Sequence, residues 1–296
     1  MQCNAANGLF TKPSGITDGR KETSFMKNPA VDFSVMSLNL RFGLADDGEN
    51  RWEIRKQRLL PLFNRYRPDF IGFQEANAFQ IEFLSQILPE HRYIGRRTPA
   101  PPFWQNTVLF YPDSWTCRWF DHFFLSDTPD IPSRFPESRW PRQCTFGAFS
   151  QKKRSLVCIS THLDFDSTVQ SRSAYIIQNR LKEKSTDSPV VMMGDFNTTP
   201  NSHCHEILTK PEASDDENTP IFKNAFSSPY PPTFHGFSGK TEIGHIDWIL
   251  YRGNIAPLNS QVITGLFEDG YPSDHFPLLV DFCWMSAQPN SSETKP

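Results

Sequence analysis

The sequence Val190-Val191-Met192-Met193-Gly194-Asp195-Phe196-Asn197 places two polar side chains at the end of an apolar run. The first four residues are typical of a strand that is buried on both faces. Gly194 is then expected to let the chain turn. Asp195 and Asn197 follow two residues apart, and residues at that spacing in an extended backbone point to the same side. The pattern therefore directs Phe196 into the protein and both polar groups out of the strand end.

A carboxylate beside a carboxamide suits oriented water, phosphate oxygens or a hard cation. The alternative is an Asx turn that closes the strand, since Asp and Asn often bond their own backbone. Further polar clusters stand where other apolar runs stop: Asn39, Glu75, His162 with Asp164, and Asp247 with Asp274 and His275. Their structural alternatives are a turn at Asn39, a helix N-terminal acid at Glu75, a core histidine at His162 and a helix cap at Asp164.

The composition is that of a globular protein with one large domain or two modest ones. The 296 residues are 38% hydrophobic and 21% charged, with a net charge of -3 at pH 7. The strongly basic footprint of many nucleic-acid-binding proteins is absent. Six scattered cysteines form no CxxC pair, which argues against a zinc knuckle or a redox pair. With no apolar run approaching eighteen residues and no signal-peptide core, we expect an intracellular, cytoplasmic monomer without a membrane span.

Polar segments without periodicity flank the rest of the chain. Residues 1–28 predict a disordered leader and residues 286–296 a disordered tail, which leaves one domain at residues 29–285. Predicted strands are 31–40, 69–74, 107–111, 156–160, the run from Val190, 246–251, 261–264 and 278–282. Predicted helices are 52–66 (interrupted at Pro61), 79–88 and 169–181. Residues 128–142 hold four prolines and predict a long ordered loop; residues 210–220 predict an exposed one.

The polar clusters follow one another in a familiar order. The motifs are Leu38-Asn39, Gln74-Glu75, Thr161-His162-Leu163-Asp164, Gly194-Asp195-Phe196-Asn197, His245-Ile246-Asp247-Trp248-Ile249 and Ser273-Asp274-His275-Phe276-Pro277. Together they resemble the endonuclease/exonuclease/phosphatase superfamily of DNase I-like nucleases and phosphatases. The resemblance covers about residues 31–282 and makes residues 29–285 the expected catalytic domain. It implies an α/β fold, a four-layer α/β/β/α sandwich in which two mixed β-sheets pack face to face with helices outside.

The resemblance implies a divalent metal ion, Mg²⁺ or Mn²⁺, as cofactor. Glu75 resembles the principal metal carboxylate, with Asn39 beside it and Asp274 near the metal. The residues themselves agree with this assignment, because the clusters offer oxygen donors and no cysteine.

The resemblance also implies hydrolysis of a phosphate mono- or diester by in-line attack of water. Asp195 would orient or deprotonate the water, while Asn197 and His162 would hold phosphate oxygens. His275, paired with Asp247, would stabilise the charge that develops on phosphorus. The paired carboxylate would fix the tautomer of the ring and raise its pKa.

We assign substrate binding to Arg142, Arg41, Asn106 and His235. Arg142 lies where relatives direct a side chain toward the phosphate, and a guanidinium can grip phosphate at two points. Aromatic segments at Trp104 and at Phe234–Phe237 would wall the site. Together with the net charge, they predict a phosphorylated small molecule or single-stranded nucleic acid as substrate. The alternatives are an endo- or exonuclease acting on duplex DNA or RNA and, less favoured, a non-catalytic binding module.

Overall fold

Twelve strands and five α-helices occur in the part of the chain that the computed structural model describes, residues 31–184, 187–210, 221–241 and 243–285. The strands are β1 (Phe33–Asn39), β2 (Phe70–Ala76), β3 (His91–Ile94), β4 (Asn106–Pro112), β5 (Thr116–Phe124), β6 (Gln143–Gln151), β7 (Arg154–His162), β8 (Val190–Asp195), β9 (Lys223–Asn224), β10 (Asp247–Arg252), β11 (Ile255–Val262) and β12 (Leu278–Trp284). The helices are α1 (Trp52–Arg55), α2 (Leu59–Tyr66), α3 (Ala78–Ile87), α4 (Ser167–Glu183) and α5 (His203–Thr209). The predictions for residues 1–28, 211–220 and 286–296 lie outside the described residues.

The strands form two mixed sheets of six. Sheet A has the order β11-β12-β1-β2-β4-β3, and sheet B has the order β5-β6-β7-β8-β10-β9. Each sheet contains one parallel pair, β1 with β2 in sheet A and β7 with β8 in sheet B, and its other pairs are antiparallel. In a parallel pair both strands end at the same edge of the sheet. The two parallel pairs therefore bring polar strand ends together.

Three apolar layers hold the fold together. The central layer lies between the sheets and includes Phe33, Phe70 and Val191. A second layer packs α4 and α5 against sheet B, and a third packs α1, α2 and α3 against sheet A. The predicted four-layer sandwich is confirmed. Among the described residues, no helix combines the length and the apolar character needed to cross a membrane.

Strand β8 illustrates how the sequence determines this layering. Val191 and Met193 belong to the central layer, while Val190 and Met192 pack under the helices of sheet B. Successive side chains of a strand point to opposite faces, so a strand covered on both faces is apolar throughout. Gly194 is not the turn that the sequence predicts. It is the fifth residue of β8, and a Cβ there would lie 2.0 Å from the Thr161 carbonyl oxygen of β7.

Other predicted elements differ in their limits. The predicted helix 52–66 is interrupted, as expected, but the break is a 3₁₀ turn at Lys56–Arg58 and α2 then includes Pro61 in its first turn, where a missing N–H is tolerated. Only Gln261 and Val262 of the predicted strand 261–264 are in a strand, at the end of β11, whose earlier residues do not alternate between apolar and polar and are mostly partly or fully exposed at the edge of sheet A. Strands β3, β5, β6 and β9 and helix α5 carry no clear period and were not predicted.

Candidate active site

Strand register brings three of the polar motifs into one row of sheet B. His162 at the end of β7 pairs with Asp195 at the end of β8, and Asp195 pairs with Asp247 at the start of β10. Across the sandwich, Asn39 ends β1 and donates its amide Nδ2 to Asp195 Oδ2 at 2.9 Å. Glu75, near the end of the neighbouring β2, lies 3.4 Å from the same amide nitrogen. The two sheets therefore meet at a single polar cluster.

Asp195 is the centre of this cluster. Its Oδ1 accepts the backbone N–H of Asn197 at 2.9 Å, so the Asx turn and the clustered polar site are both present. Burial, reinforced by the Asp247 carboxylate, raises the pKa of Asp195 to about 7. A carboxylate with a pKa near the working pH is well suited to accept a proton from water. The prediction assumed that Asp195 and Asn197 point the same way because the backbone between them is extended. Asn197 instead has a left-handed backbone (φ +52).

His275 lies beside Asp195 and is paired with Asp247. Its Nδ1 lies 2.9 Å from Asp247 Oδ2, and its Nε2 lies 3.9 Å from Asp195 Oδ2. Burial alone would lower the pKa of this ring, but Asp247 and then Asp195 outweigh burial and raise the pKa to about 10. The ring is therefore a cation at neutral pH. Phe234 packs edge-on against it at 5.0 Å, which restricts its orientation.

His162 and its partners form the third side. The Nε2 atom of His162 lies 3.1 Å from the Asn197 Nδ2 and 3.0 Å from the Arg142 Nη1. Burial and the Arg142 charge lower the pKa of His162 well below its ordinary value, so this ring is neutral and Nε2 accepts. Arg142 is itself held by Asp164, with Nε 3.3 Å from Oδ2. Asp164 is not the cap of α4; that position belongs to Asp166, whose carboxylate accepts from the first turn.

The predicted metal ligands lie at the sheet A side of the cluster. Glu75 Oε2 accepts the backbone N–H of Phe42 at 2.7 Å, and the Glu75 carboxylate lines an adjoining pocket. Asp274 is almost fully buried and lies 3.6 Å from the Nε of Arg41. The Asn39 Oδ1 accepts the Arg41 N–H at 2.8 Å, so this amide orients its neighbours and retains one lone pair. Two carboxylates and an amide oxygen are a donor set that fits Mg²⁺ or Mn²⁺.

A second group of residues, two aspartates and a histidine, lies close enough together to be considered as a metal site. The ligand atoms of Asp195, Asp247 and His275 all lie within 4.8 Å of one another. However, one ring nitrogen of His275 is bonded to Asp247, and the raised pKa keeps the ring protonated. A protonated ring repels a cation and offers no lone pair. We therefore regard these three residues as a charge-coupled group, in which Asp247 is hydrogen-bonded to His275 and Asp195 lies 3.9 Å from the other ring nitrogen.

Two predicted substrate-binding residues are not among those that line the adjoining pocket. Asn106 is 2% exposed, and its amide bonds the Ala76 carbonyl at 2.8 Å and the Arg97 N–H at 2.9 Å. Its side chain therefore joins the end of β2 to the start of β4. His235 is also buried and stacks on Phe276 at 4.0 Å, and burial lowers its pKa to about 4. Both side chains are buried and hydrogen-bonded or packed within the protein, and their part in substrate binding stays a prediction.

A pocket of about 590 Å³ opens next to the cluster. Arg41 and Arg142 line it, as the sequence predicted for substrate-binding residues, and Glu75 and His162 form part of its floor. Arg41 is held by Asp47 through two hydrogen bonds of 3.1 and 2.9 Å, which raise its pKa further. Sequence reasoning missed several lining residues, all on loops: Phe42, Ala45, Phe103 and Phe165. The only sequence signal for Phe165 is an aromatic residue between two acids just beyond a strand end.

Comparison with known proteins gives partial matches to curated sequences and extensive ones to solved structures. The chain is 28% identical over 183 residues to Uncharacterized protein L388 of Acanthamoeba polyphaga mimivirus, a match that spans 55% of this chain and 66% of L388. An endonuclease/exonuclease/phosphatase from Bacteroides vulgatus has a TM-score of 0.76 and 25% identity, covering 85% of this chain and 98% of that one. The mannosyl-6-phosphatase Bt3783 of Bacteroides thetaiotaomicron has a TM-score of 0.72 and 23% identity, covering 85% and 100%.

The family model described as Endonuclease/Exonuclease/phosphatase family matches residues 36–275. This region includes every polar cluster, from Asn39 to His275, and most of both sheets. The match spans more than half of the chain, and the solved structures share its fold. The chain therefore belongs to the endonuclease/exonuclease/phosphatase family.

Proposed function

We propose that this protein is a divalent-metal-dependent phosphoesterase that cleaves a phosphate mono- or diester by in-line attack of water. Hydrolysis of phosphate ester bonds is the activity of its family, and a phosphatase is among the similar structures. The observation that carries the proposal is the convergence on Asp195 Oδ2 of His162 Nε2 at 3.5 Å and His275 Nε2 at 3.9 Å. A proton acceptor, a neutral ring and a cationic ring thus surround one small volume.

Each group has a distinct task in this reaction. Asp195, with its pKa raised to about 7, orients the attacking water and takes its proton. His275, held protonated by Asp247, stabilises negative charge on the phosphoryl oxygens. The amide of Asn197 and the guanidinium of Arg142 both reach His162, so a phosphate displacing these contacts meets two donors at once.

A divalent ion bound here would neutralise charge on the phosphoryl oxygens and on the leaving oxygen. Glu75 and Asp274, with the remaining lone pair of the Asn39 amide oxygen, would hold the ion. Arg41 lies 3.6 Å from Asp274 and keeps its own charge in place through Asp47. This arrangement lets Arg41 offset the charge of Asp274 before a metal ion or a substrate is bound.

The pocket supports a small or single-stranded substrate. Its volume of about 590 Å³ is that of an ordinary ligand pocket. Its walls carry Arg41, Arg139 and Arg142 and several aromatic rings, which suit an anion attached to an apolar or planar group. The net charge of -3 gives no general attraction for a long polyanion.

The test is a hydrolysis screen with Mg²⁺ or Mn²⁺ over sugar phosphates, nucleotides, phosphoinositides, single strands and duplexes. We expect turnover of at least one small or single-stranded ester, loss of turnover in excess chelator and recovery on adding metal. Glu75→Gln should weaken metal binding, measured by calorimetry, with little change in the midpoint of thermal unfolding. Full activity in excess chelator would refute the metal dependence.

The same screen distinguishes the alternative of a duplex nuclease. Duplex binding releases counterions and weakens steeply with salt, whereas a pocket-bound small ester is affected much less. Efficient nicking of a plasmid at physiological salt, with all small esters untouched, would support the duplex nuclease instead.

A further inference from the structure

The mouth of the active-site pocket carries exposed aromatic rings. Phe103, Trp140 and Phe165 line the pocket and keep 59%, 52% and 74% of their surface exposed. Most other described phenylalanine and tryptophan side chains lie inside the three apolar layers. Exposed aromatic groups gathered around one cavity mark a surface that a ligand covers. The rings therefore indicate the chemistry of the part of the substrate that extends beyond the phosphate.

Arginine side chains divide the pocket into an inner and an outer end. Arg142 contacts His162 at 3.0 Å, which places its charge at the inner end beside the polar cluster. Arg139, three residues earlier, is exposed at the outer end and lies over the Trp140 ring at 5.2 Å. Arg142 is paired with Asp164, but no carboxylate among the described residues forms an ion pair with Arg139. Its charge is therefore available to an anion at the pocket mouth.

We infer that the pocket holds, beyond the phosphate that reacts, a planar ring against Trp140 and Phe103 and a second anionic group at Arg139. The inference rests on the proposed phosphoesterase function and specifies its substrate class: a nucleotide chain, with a base for the rings and a neighbouring phosphate for Arg139. Stacking on aromatic side chains is tolerant of base identity because every base has a π-face. A monophosphorylated sugar has neither the π-face nor the second anion.

Three matched phosphate esters test each feature in turn. Ribose 5-phosphate has neither feature, adenosine 5′-monophosphate adds the ring, and the dinucleotide pApA adds a second phosphate. With the full chain and Mg²⁺ or Mn²⁺, every product is scored by chromatography. We expect kcat/KM to rise about tenfold at each addition, the size expected for one stacked base or one charge-assisted contact.

Two substitutions assign the features to residues. Trp140→Ala should lower the ratio of kcat/KM for adenosine 5′-monophosphate over ribose 5-phosphate about tenfold. Arg139→Gln should lower the ratio for pApA over adenosine 5′-monophosphate about tenfold. The matched control is Arg154→Gln, because Arg154 also lies over a tryptophan, Trp284 at 5.0 Å, but at the opposite end of β7 from His162. Both ratios should be unchanged in this control.

A preference for ribose 5-phosphate, or ratios that neither substitution changes, would overturn the inference. A binding measurement separates this failure from failure of the proposed function. Calorimetric titration with pApA in chelator should give a dissociation constant that Arg139→Gln and Trp140→Ala each raise at least fivefold. If neither these esters nor any other in the hydrolysis screen is hydrolysed but this binding pattern holds, the ring and anion sites stand and the phosphoesterase proposal falls. If pApA binds equally to all four proteins, the inference is wrong whatever the hydrolysis shows.

Discussion

The inner end of the pocket and its mouth are constructed in opposite ways. At the inner end, Asp195, Asp247 and His275 are at most 6% exposed. Asp195 and Asp247 are paired at the ends of β8 and β10, and His275 is held by an isolated bridge to Phe234 and by its hydrogen bond to Asp247. At the mouth, Phe103 and Trp140 are more than half exposed and stand on loops. The inner end is a network in which each charge determines the protonation of its neighbour, whereas the mouth is a set of nearly independent surfaces.

This difference separates chemistry from recognition. Buried charges in fixed geometry stabilise a transition state without reorganising, so changes there should act on kcat. Exposed rings on loops contact the substrate before and during reaction alike, so changes there should act mainly on KM. A substitution at the inner end that changes only KM, or a substitution at the mouth that changes kcat, would contradict this separation.

The largest effect is expected for Asp195→Asn. The amide cannot accept a proton from water, so kcat should fall by about 10² to 10⁴. Stability should behave differently. The folded-state pKa of Asp195 is raised to about 7, so the stabilising contribution of this group is full only below its unfolded pKa and is lost as pH rises through 7. In chelator at pH 8, the thermal midpoint of the variant should therefore equal or exceed that of the parent. A large loss of stability there would contradict the raised pKa.

Asp247→Asn should have the next largest effect, an order of magnitude or more in kcat. Asp195 must be ionised and His275 protonated, so we expect a bell-shaped profile that rises near pH 7 and falls near pH 10. The Asp247 charge raises both pKa values, so its removal should shift both limbs to lower pH. Asp113→Asn, at an exposed acid paired with Arg92, serves as the control. If neither limb of the pH profile moves in Asp247→Asn, the pairing with Asp247 is not what keeps the His275 ring protonated.

Part of the inner end could be predicted from the sequence because the strand pattern shows where the polar strand ends lie. An apolar run followed by a polar residue locates a strand end, and two parallel pairs then bring His162 beside Asp195 and Asn39 beside Gln74. Which protonation states result was not accessible, since the pKa values depend on distances across three strands. The left-handed backbone at Asn197 was likewise hidden, although Asn tolerates that conformation better than most residues.

The mouth was much less accessible, for a physical reason. A single aromatic residue on a loop has no period, and the sequence contains 26 phenylalanines, most of which pack inside. Phe103 and Phe165 therefore look like core residues, while His235 looks like a ligand-binding one. In the structure Phe103 and Phe165 are exposed and line the pocket, whereas His235 is buried, packs against the rings of Phe276 and Tyr271 and accepts the Gly239 N–H.

Arg142 stands at the boundary of the two regions. It bonds the buried His162 and Asp164 and also lines the pocket. Arg142→Lys keeps the charge but loses the fork that reaches both partners, so we expect kcat/KM to fall about tenfold, in kcat and KM together. Arg139→Lys is the matched comparison, and there KM alone should change. An effect confined to KM in Arg142→Lys would place this residue with the mouth.

The loop that presents Trp140 and Arg142 is anchored at a distance from the site. Phe135 is 1% exposed, and the guanidinium of Arg172 on α4 lies 3.7 Å from the centre of its ring. The same guanidinium pairs with Asp127 at 2.7 Å, at the beginning of the loop. Arg172 touches no residue of the polar cluster. A substitution of Arg172 therefore tests whether loosening this loop weakens substrate binding without slowing the catalytic step.

The smallest effect is expected for Arg172→Gln. Arg172 is about one third exposed, and exposed ion pairs and cation–π contacts contribute about 0.5–1 kcal/mol each, so the loop should loosen without unfolding. KM should rise about two- to fivefold while kcat stays constant. Lys184→Gln is the matched control, because Lys184 lies over Trp119 and pairs with Asp121 at the other end of α4, supporting β5 rather than the loop. A fall in kcat in Arg172→Gln, or an equal rise in KM in the control, would mean that the mouth and the inner end are not separable in this way.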